Sequence, residues 1–372
     1  MIRMVDLKTQ YAHIREEIDR AVLDVIASTD YINGPSVRQF QAELEQYLGV
    51  EHVIPCANGT DALQIAMMAL DLKPGDEVIV PAFTYVATAE VIALLGLTPV
   101  MVDVDPDTFN LTADLAAAAI TPRTRAIVPV HLFGQSADME PLLELARRHN
   151  LYVIEDNAQA IGADYTCADG RRQKTGTLGH VGSTSFFPSK NLGCYGDGGA
   201  LMTHDAELAK RLRMVANHGQ DRQYYHAVVG VNSRLDSIQA AILSVKLRHL
   251  DEYCAARGRA AAYYDAAFAS VPQLKIPARQ HNSTHVFHQY TLVLREGDRD
   301  ALRQHLATRE IPAMIYYPVP LYKQQAFSNY WPGGELPVTE QLCRSVISLP
   351  IHTELTPEIQ DRIIQGVQSF FN

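Results

Sequence analysis

Four short segments carry residue types able to do covalent or phosphate chemistry, and each follows a run of strand-forming residues. Lys190 comes just after Phe186-Phe187-Pro188-Ser189 and is followed by Gly193, Gly196, Gly198 and Gly199. A lysine held in an apolar, glycine-framed pocket can lose its proton and attack a carbonyl; taken alone, a lysine is far more often a solvated surface group. Asp156 closes the run Leu151-Tyr152-Val153-Ile154-Glu155. A carboxylate at the end of an interior strand is costly unless paired, and a protonated ring nitrogen would pair with it, as would an N-cap or a structural ion pair. Gly59-Thr60 lies between a strand and an apolar helix. Free N–H groups and the helix dipole suit that spot to a phosphate dianion, although most capped helices bind nothing. Ser185, five residues before Lys190, could donate to the same phosphate or bond to backbone in the core. Tyr85, in Pro81-Ala82-Phe83-Thr84-Tyr85, could cover a flat ring.

Something must bring these segments together. Short β-rich runs at 53–56, 78–80, 100–104, 126–130, 151–155, 183–187 and 200–203 alternate with helical patterns at 60–70, 84–95, 112–120 and 139–148. That alternation predicts a mostly parallel sheet covered on both faces. In such sheets ligands bind beyond the carboxyl ends of the strands, which is where the four segments fall. The helix from Asp61 is apolar nearly all round and is expected to be buried. After about residue 235 the pattern changes: 235–268 reads as one long helix or two, 286–294 and 313–317 as strands, and 299–309 as a helix. Thr356-Pro357 opens a terminal helix, with Thr as cap and Pro in the first turn. The expected division is a large α/β domain, residues 1–250, and a smaller α+β domain, residues 251–372. A chain of 372 residues exceeds what one core usually supports, in keeping with two lobes.

Composition narrows the partners. Apolar residues make up 47% of the chain, which excludes a disordered one. With 32 basic and 42 acidic residues the formal charge is −10, so no nucleic acid is expected as partner. The N-terminus has no apolar signal-like stretch, and the greasiest run, 91–102, is interrupted by Gly96 and Pro99, so no membrane span is expected. The odd set Cys56, Cys167, Cys194, Cys254 and Cys343, without C-x-x-C, fits a reducing cytoplasm. His281, His285 and His288 have helical metal spacing, but no acidic or Cys ligand joins them and no metal is expected. The run Gly193–Gly199 lacks the G-x-G-x-x-G pattern of a dinucleotide site.

Together, a phosphate cradle, a carboxylate for a pyridinium, an aromatic cover and a lysine make the minimal kit for pyridoxal 5′-phosphate (PLP). Their order resembles the fold-type-I aminotransferases and, within them, the DegT/DnrJ/EryC1/StrS family. The resemblance runs nearly the whole length, through Tyr31-Ile32-Asn33-Gly34-Pro35, Asn58-Gly59-Thr60-Asp61-Ala62-Leu63, Pro74-Gly75-Asp76-Glu77, Glu155-Asp156 with Gln159-Ala160, Phe187-Pro188-Ser189-Lys190-Asn191-Leu192-Gly193, Asn217-His218-Gly219, Asn232-Ser233-Arg234-Leu235-Asp236 and Tyr317-Pro318.

It implies that Lys190 forms the Schiff base and moves the proton, and that Asp156 pairs with the pyridine nitrogen. By the same resemblance Gln159 lies near the phenolic oxygen or ring, Tyr85 stacks on the ring, and Gly59, Thr60 and Ser185 hold the phosphate. Asn232 matches an asparagine that completes this phosphate site from the neighbouring subunit, which implies a homodimer with shared active sites. The implied reaction moves an amino group from glutamate, leaving 2-oxoglutarate, to a nucleotide-linked keto-sugar. Its texture is closest to enzymes that aminate C3 of a UDP- or dTDP-3-keto-hexose or hexuronate in amino-sugar and surface-polysaccharide biosynthesis, with C4 amination as the alternative. Arg222, Arg234, His285, His288, Tyr316, Tyr317 and Tyr322 are candidates for sugar or diphosphate contacts, and Tyr316 or Tyr322 stands where the family often has His. A same-fold sugar dehydratase would have His in place of Lys190, and a non-catalytic sensor would not need the Lys190, Asp156 and Ser185 set.

Overall fold

The computed structural model describes residues 2–371. Three helices come first, α1 (Leu7–His13), α2 (Arg15–Ser28) and α3 (Pro35–Leu48). Helix α3 begins with Pro at its first position and ends at Gly49, whose φ of 67° is the left-handed conformation that closes a helix. Strand and helix then alternate: β1 (His52–Cys56), α4 (Gly59–Ala69), β2 (Glu77–Pro81), α5 (Ala87–Leu94), β3 (Thr98–Val102), α6 (Ala113–Ala117), β4 (Thr124–Ile127), α7 (Met139–His149) and β5 (Tyr152–Asp156). A small hairpin, β6 (Asp164–Thr166) and β7 (Arg172–Lys174), precedes β8 (Val181–Ser185) and β9 (Gly199–Thr203). Helix α8 (Ala206–Ala216) leads to a second hairpin, β10 (Gln220–Arg222) and β11 (Tyr225–His226).

Seven strands form one sheet in the order β1-β9-β8-β5-β4-β2-β3. From β8 to β3 every pairing is parallel, whereas β9 runs antiparallel to both β8 and β1. All five residues of β2 and of β9 are buried, as expected for strands covered on both faces. Helix α4 packs Leu63, Ile65, Ala66 and Met67 into the largest core cluster, against Ile54, Val78 and Leu201. All seven predicted strands therefore form, each within a few residues of its expected limits, and the mostly parallel α/β sheet is observed.

Beyond the sheet lie α9 (Ser237–Leu247) and α10 (Leu250–Phe268), so the stretch read as one helix or two is two. A separate antiparallel sheet of β12 (Leu274–Lys275), β13 (Tyr290–Leu294) and β14 (Val346–Leu349) packs with α10, α11 (Arg299–Ala307) and α13 (Pro357–Phe371) around Tyr264, Phe268, Tyr290, Leu302 and Ile363. Helix α12 (Pro337–Ser345) precedes β14. Leu250 belongs to a core cluster with Phe40 and Phe186, while Tyr264 and Phe268 of the same helix belong to the outer lobe's cluster. Leu321, Tyr322 and Phe327 fold back onto the main core.

Three expectations need correction. The strand read at 286–294 begins only at Tyr290, because 282–289 instead runs beside β6 and the segment at 133–135: Thr284 N–H bonds to Asp164 O and Val286 N–H to Gly134 O. The strand read at 313–317 reduces to a single bridge, Met314 with Ser348, since the chain then turns into the cavity described below. The helix read from 84 starts at Ala87, after a turn that projects Thr84 and Tyr85 toward that cavity. Among the described residues no helix is long and apolar enough to cross a membrane.

Candidate active site

The carboxyl ends of β1, β2, β5 and β8 surround a cavity of about 720 Å³. Its lining includes Gly59, Thr60, Tyr85, Asp156, Gln159, Ser185, Lys190, His288, Tyr316 and Tyr317, all predicted site residues. Asn232 and Arg234 lie outside it: Asn232 is exposed and bridges to Asn217. Among the other sugar candidates, Arg222 stacks its guanidinium on Tyr225, 3.8 Å from the ring centroid. His285 stacks on Phe287, and Tyr322 stacks on Trp331 with its hydroxyl bonded to Glu340, so none of the three lines the cavity.

Local folding explains the cradle. Asn58 caps α4, its Oδ1 accepting from Asp61 N–H at 2.8 Å. The first helical bond is Ala62 N–H to Asn58 O, so the N–H groups of Gly59 and Thr60 have no carbonyl within the helix. Gly59 must be glycine: a Cβ there would meet Ser185 Cβ at 2.7 Å. That missing atom brings the start of α4 against Ser185, so Gly59, Thr60 and Ser185 line the same end of the cavity.

Asp156, 6% exposed, closes β5. Both donors to it are neutral: Thr88 Oγ1 donates to Oδ2 at 2.7 Å and Ala158 N–H to Oδ1 at 3.1 Å. Its neighbour Glu155 points to the other face and is fully buried. Glu155 accepts from the N–H groups of Gly176, Leu178 and Gly179 at 2.8, 2.6 and 2.5 Å, and pairs with His131 Nε2 at 2.8 Å. His131 Nδ1 accepts from Ala137 N–H, which leaves the ring proton on Nε2, facing Glu155. Adjacent carboxylates thus serve different ends, one stapling loops behind the sheet and one facing the cavity.

Gln159 is fixed at both ends, Oε1 accepting from Phe133 N–H at 2.8 Å and Nε2 donating to the Tyr317 hydroxyl at 3.2 Å. Burial pushes the Tyr317 phenol well above its usual range, so it stays protonated. Tyr85 is 56% exposed at the mouth, its ring 6.3 Å from that of Tyr317. Lys190 sits in a tight turn, its N–H bonded to Phe187 O at 2.8 Å. Burial brings its ammonium down to about 8, against the opposing pull of Asp156. Burial likewise holds His288 well below the usual histidine range, helped by the charges of Lys190 and Arg257, so its imidazole is neutral.

The residues present fit a flat, phosphorylated, protonated-ring cofactor. The cradle would lose its space to a Cβ, and the buried Thr84 hydroxyl and His288 Nδ1 line the cavity without a partner. Sequence reasoning missed Thr88 and His131. Thr88 reads as an ordinary helix residue, and only the crossing of α5 over β5 brings it to Asp156. His131 is a lone histidine far from any motif.

The fold and the site define a fold-type-I transferase. The profile of the DegT/DnrJ/EryC1/StrS aminotransferase family matches residues 12–368, and the chain belongs to that family. It is 47% identical over 355 residues to the UDP-2-acetamido-2-deoxy-3-oxo-D-glucuronate aminotransferase of Pseudomonas aeruginosa, covering 95% of this chain and 96% of that one. It is 45% identical over 362 residues to the UDP-N-acetyl-3-dehydro-alpha-D-glucosamine 3-aminotransferase of Acidithiobacillus ferrooxidans, covering 97% and 96%. Among solved structures, DesV of S. venezuelae in complex with a ketimine intermediate superposes with a TM-score of 0.94 at 42% identity, covering 99% of this chain and 98% of that one. The protein is an aminotransferase and its cofactor is PLP.

Proposed function

We propose that this enzyme takes an amino group from glutamate and delivers it to C3 of a UDP- or dTDP-linked 3-keto-hexose or hexuronate, within amino-sugar and surface-polysaccharide biosynthesis. One observation carries the catalytic part: Lys190, Asp156 and the Gly59–Ser185 cradle, distant in sequence, line one cavity at the carboxyl edge of the sheet. The sugar class is supported by relatives whose substrates are 3-oxo and 3-dehydro nucleotide sugars.

When bound, PLP supplies an electron sink for the carbon that loses its proton. The chain's own residues do the rest. The N–H groups of Gly59 and Thr60 and the Ser185 hydroxyl bind the phosphate. Asp156 holds the proton on the ring nitrogen. Tyr85 covers one side of the ring, and Gln159, held by Phe133 and Tyr317, borders the phenolic oxygen. Lys190 would anchor the cofactor covalently, and its Nζ would be the base that takes the proton from the donor's α-carbon and hands it on. Its depressed pKa makes the neutral amine accessible near pH 7.

Tyr316, Tyr317 and His288 form the sugar side of the cavity. Asn232 and Arg234 act on a second copy's cavity in a homodimer, Asn232 on the phosphate and Arg234, with its bidentate fork, on the nucleotide diphosphate. The large domain, residues 1–250, carries the cofactor, and residues 251–372 form the smaller domain.

The test is to load the enzyme with the amine form of the cofactor and offer UDP- and dTDP-linked 3-keto and 4-keto sugars. Recovery of the aldehyde form's absorbance with 3-keto sugars alone is expected. Recovery only with 4-keto sugars would move the reading to C4, and recovery with none would remove the sugar substrate.

A further inference from the structure

The carboxylate that faces the ring nitrogen needs to be both ionised and aimed. Asp156 has no cation holding it among its hydrogen-bond donors: the two are the Ala158 N–H and the Thr88 hydroxyl. Thr88 is fully buried in the first turn of α5, an element that enters the site from β2, three strands away in the chain from β5. A threonine in a helix commonly spends its hydroxyl on a carbonyl one turn back. Here the hydroxyl instead crosses to Asp156 Oδ2 at 2.7 Å, and Thr88 makes no other side-chain hydrogen bond among the described residues. The Ala158 N–H comes from Asp156's own loop and takes the other oxygen.

We propose that Thr88 is a positioning residue that fixes the rotamer of the Asp156 carboxylate toward the cofactor's ring nitrogen. This rests on the reading that Asp156 pairs with that nitrogen. A hydrogen bond donated to a carboxylate favours the charged form over the protonated one. Without the hydroxyl, Oδ2 is left buried and without its donor, so the carboxylate gains by rotating away. That rotation weakens the hold on the ring proton. Thr88 touches neither substrate nor cofactor in this scheme; it acts only through Asp156.

The experiment uses the holoenzyme loaded with PLP labelled with ¹⁵N in the ring, with cofactor affinity measured alongside. Thr88→Val, which trades the hydroxyl for a methyl of similar size, is expected to move the ring ¹⁵N resonance from the protonated toward the neutral position. PLP should also bind about ten- to a hundredfold more weakly. Thr88→Ser, which restores a hydroxyl, should return both toward wild type. If Thr88→Val does not fold, Thr88→Ala, which makes no added bulk, takes its place. A wild-type resonance and affinity in a folded hydroxyl-less variant would overturn the proposal, as would a fall in Tm with the resonance unmoved. Asp156→Asn is the control that separates the two readings. If it too leaves the resonance protonated, the assignment of Asp156 fails; if it shifts the resonance while Thr88→Val does not, only Thr88 fails.

Discussion

At the scale of single residues, the chemistry turns on one amine made available by burial. An ordinary lysine near 10.4 is neutral about once in 2,500 at pH 7, whereas one at about 8 is neutral roughly once in ten. The neutral form is the nucleophile, so capture of PLP by the cofactor-free enzyme should quicken about tenfold per pH unit from pH 6 to 7 and level off above 8. Borohydride trapping of the lysine at timed intervals reads this directly; a rate still climbing steeply at pH 10 would contradict it. Lys190→Ala should abolish turnover and trapping while leaving the fold intact, and normal turnover in that variant would eliminate the mechanism. Asp156→Ala should fold and lose activity by several orders of magnitude in kcat. Asp156 was legible in the sequence because it ends a strand-like run with a residue that interior strands avoid, and Lys190 because it follows an apolar run and precedes four closely spaced glycines. Thr88 was not, because its partner is 68 positions away and nothing local marks a hydroxyl that reaches across a sheet.

Among elements, the turn from β1 into α4 illustrates how local rules build a site. The Asn58 cap, the glycine that follows and an apolar helix are all readable from sequence, and together they leave N–H groups pointing into the cavity. Gly59→Ala should therefore push α4 off Ser185 and weaken PLP binding at least tenfold, with little loss in the urea midpoint of the cofactor-free protein. A PLP titration matching wild type would show that the close approach is dispensable. The strands of the main sheet were legible for a related reason: most carry a short β-forming core, such as Val78-Ile79-Val80 and Val153-Ile154, between helical patterns. The outer lobe was harder. The stretch 282–289 has only Val286 and Phe287 as apolar residues, and its backbone pairs with β6 and with the segment at 133–135 rather than with β14, a partner on which periodicity carries no information.

For the molecule as a whole, two predictions concern assembly and acid. Tyr224 and Val229 are 82% and 85% exposed beside the β10–β11 hairpin, close in sequence to Asn232. If Asn232 serves a second copy, mixing Lys190→Ala with Asn232→Ala subunits should restore part of the activity that neither has alone. No recovery despite subunit exchange would argue against shared sites. The acid prediction follows from histidines buried in neutral form: burial holds His352 at about 4 and His285 and His288 well below the usual range. In the unfolded chain these groups charge near pH 6.5, so between there and pH 4 the unfolded state binds more protons and stability falls as pH falls. For His352 the loss is about 2 kcal/mol by pH 5, at about 1.4 kcal/mol per pH unit, and His285 and His288 act in the same direction. Urea midpoints at pH 7.5 and 5 measure this, and equal midpoints would refute it.

The reversed direction of β9 has one more outcome. Because β8 runs up to Ser185 and β9 comes straight back down from Gly199, the span that bears Lys190 is a bridge resting on two adjacent piers of the same sheet. A nucleophile carried on such a span has little room to wander, so its address is set by the masonry on both banks rather than by anything it must later grip.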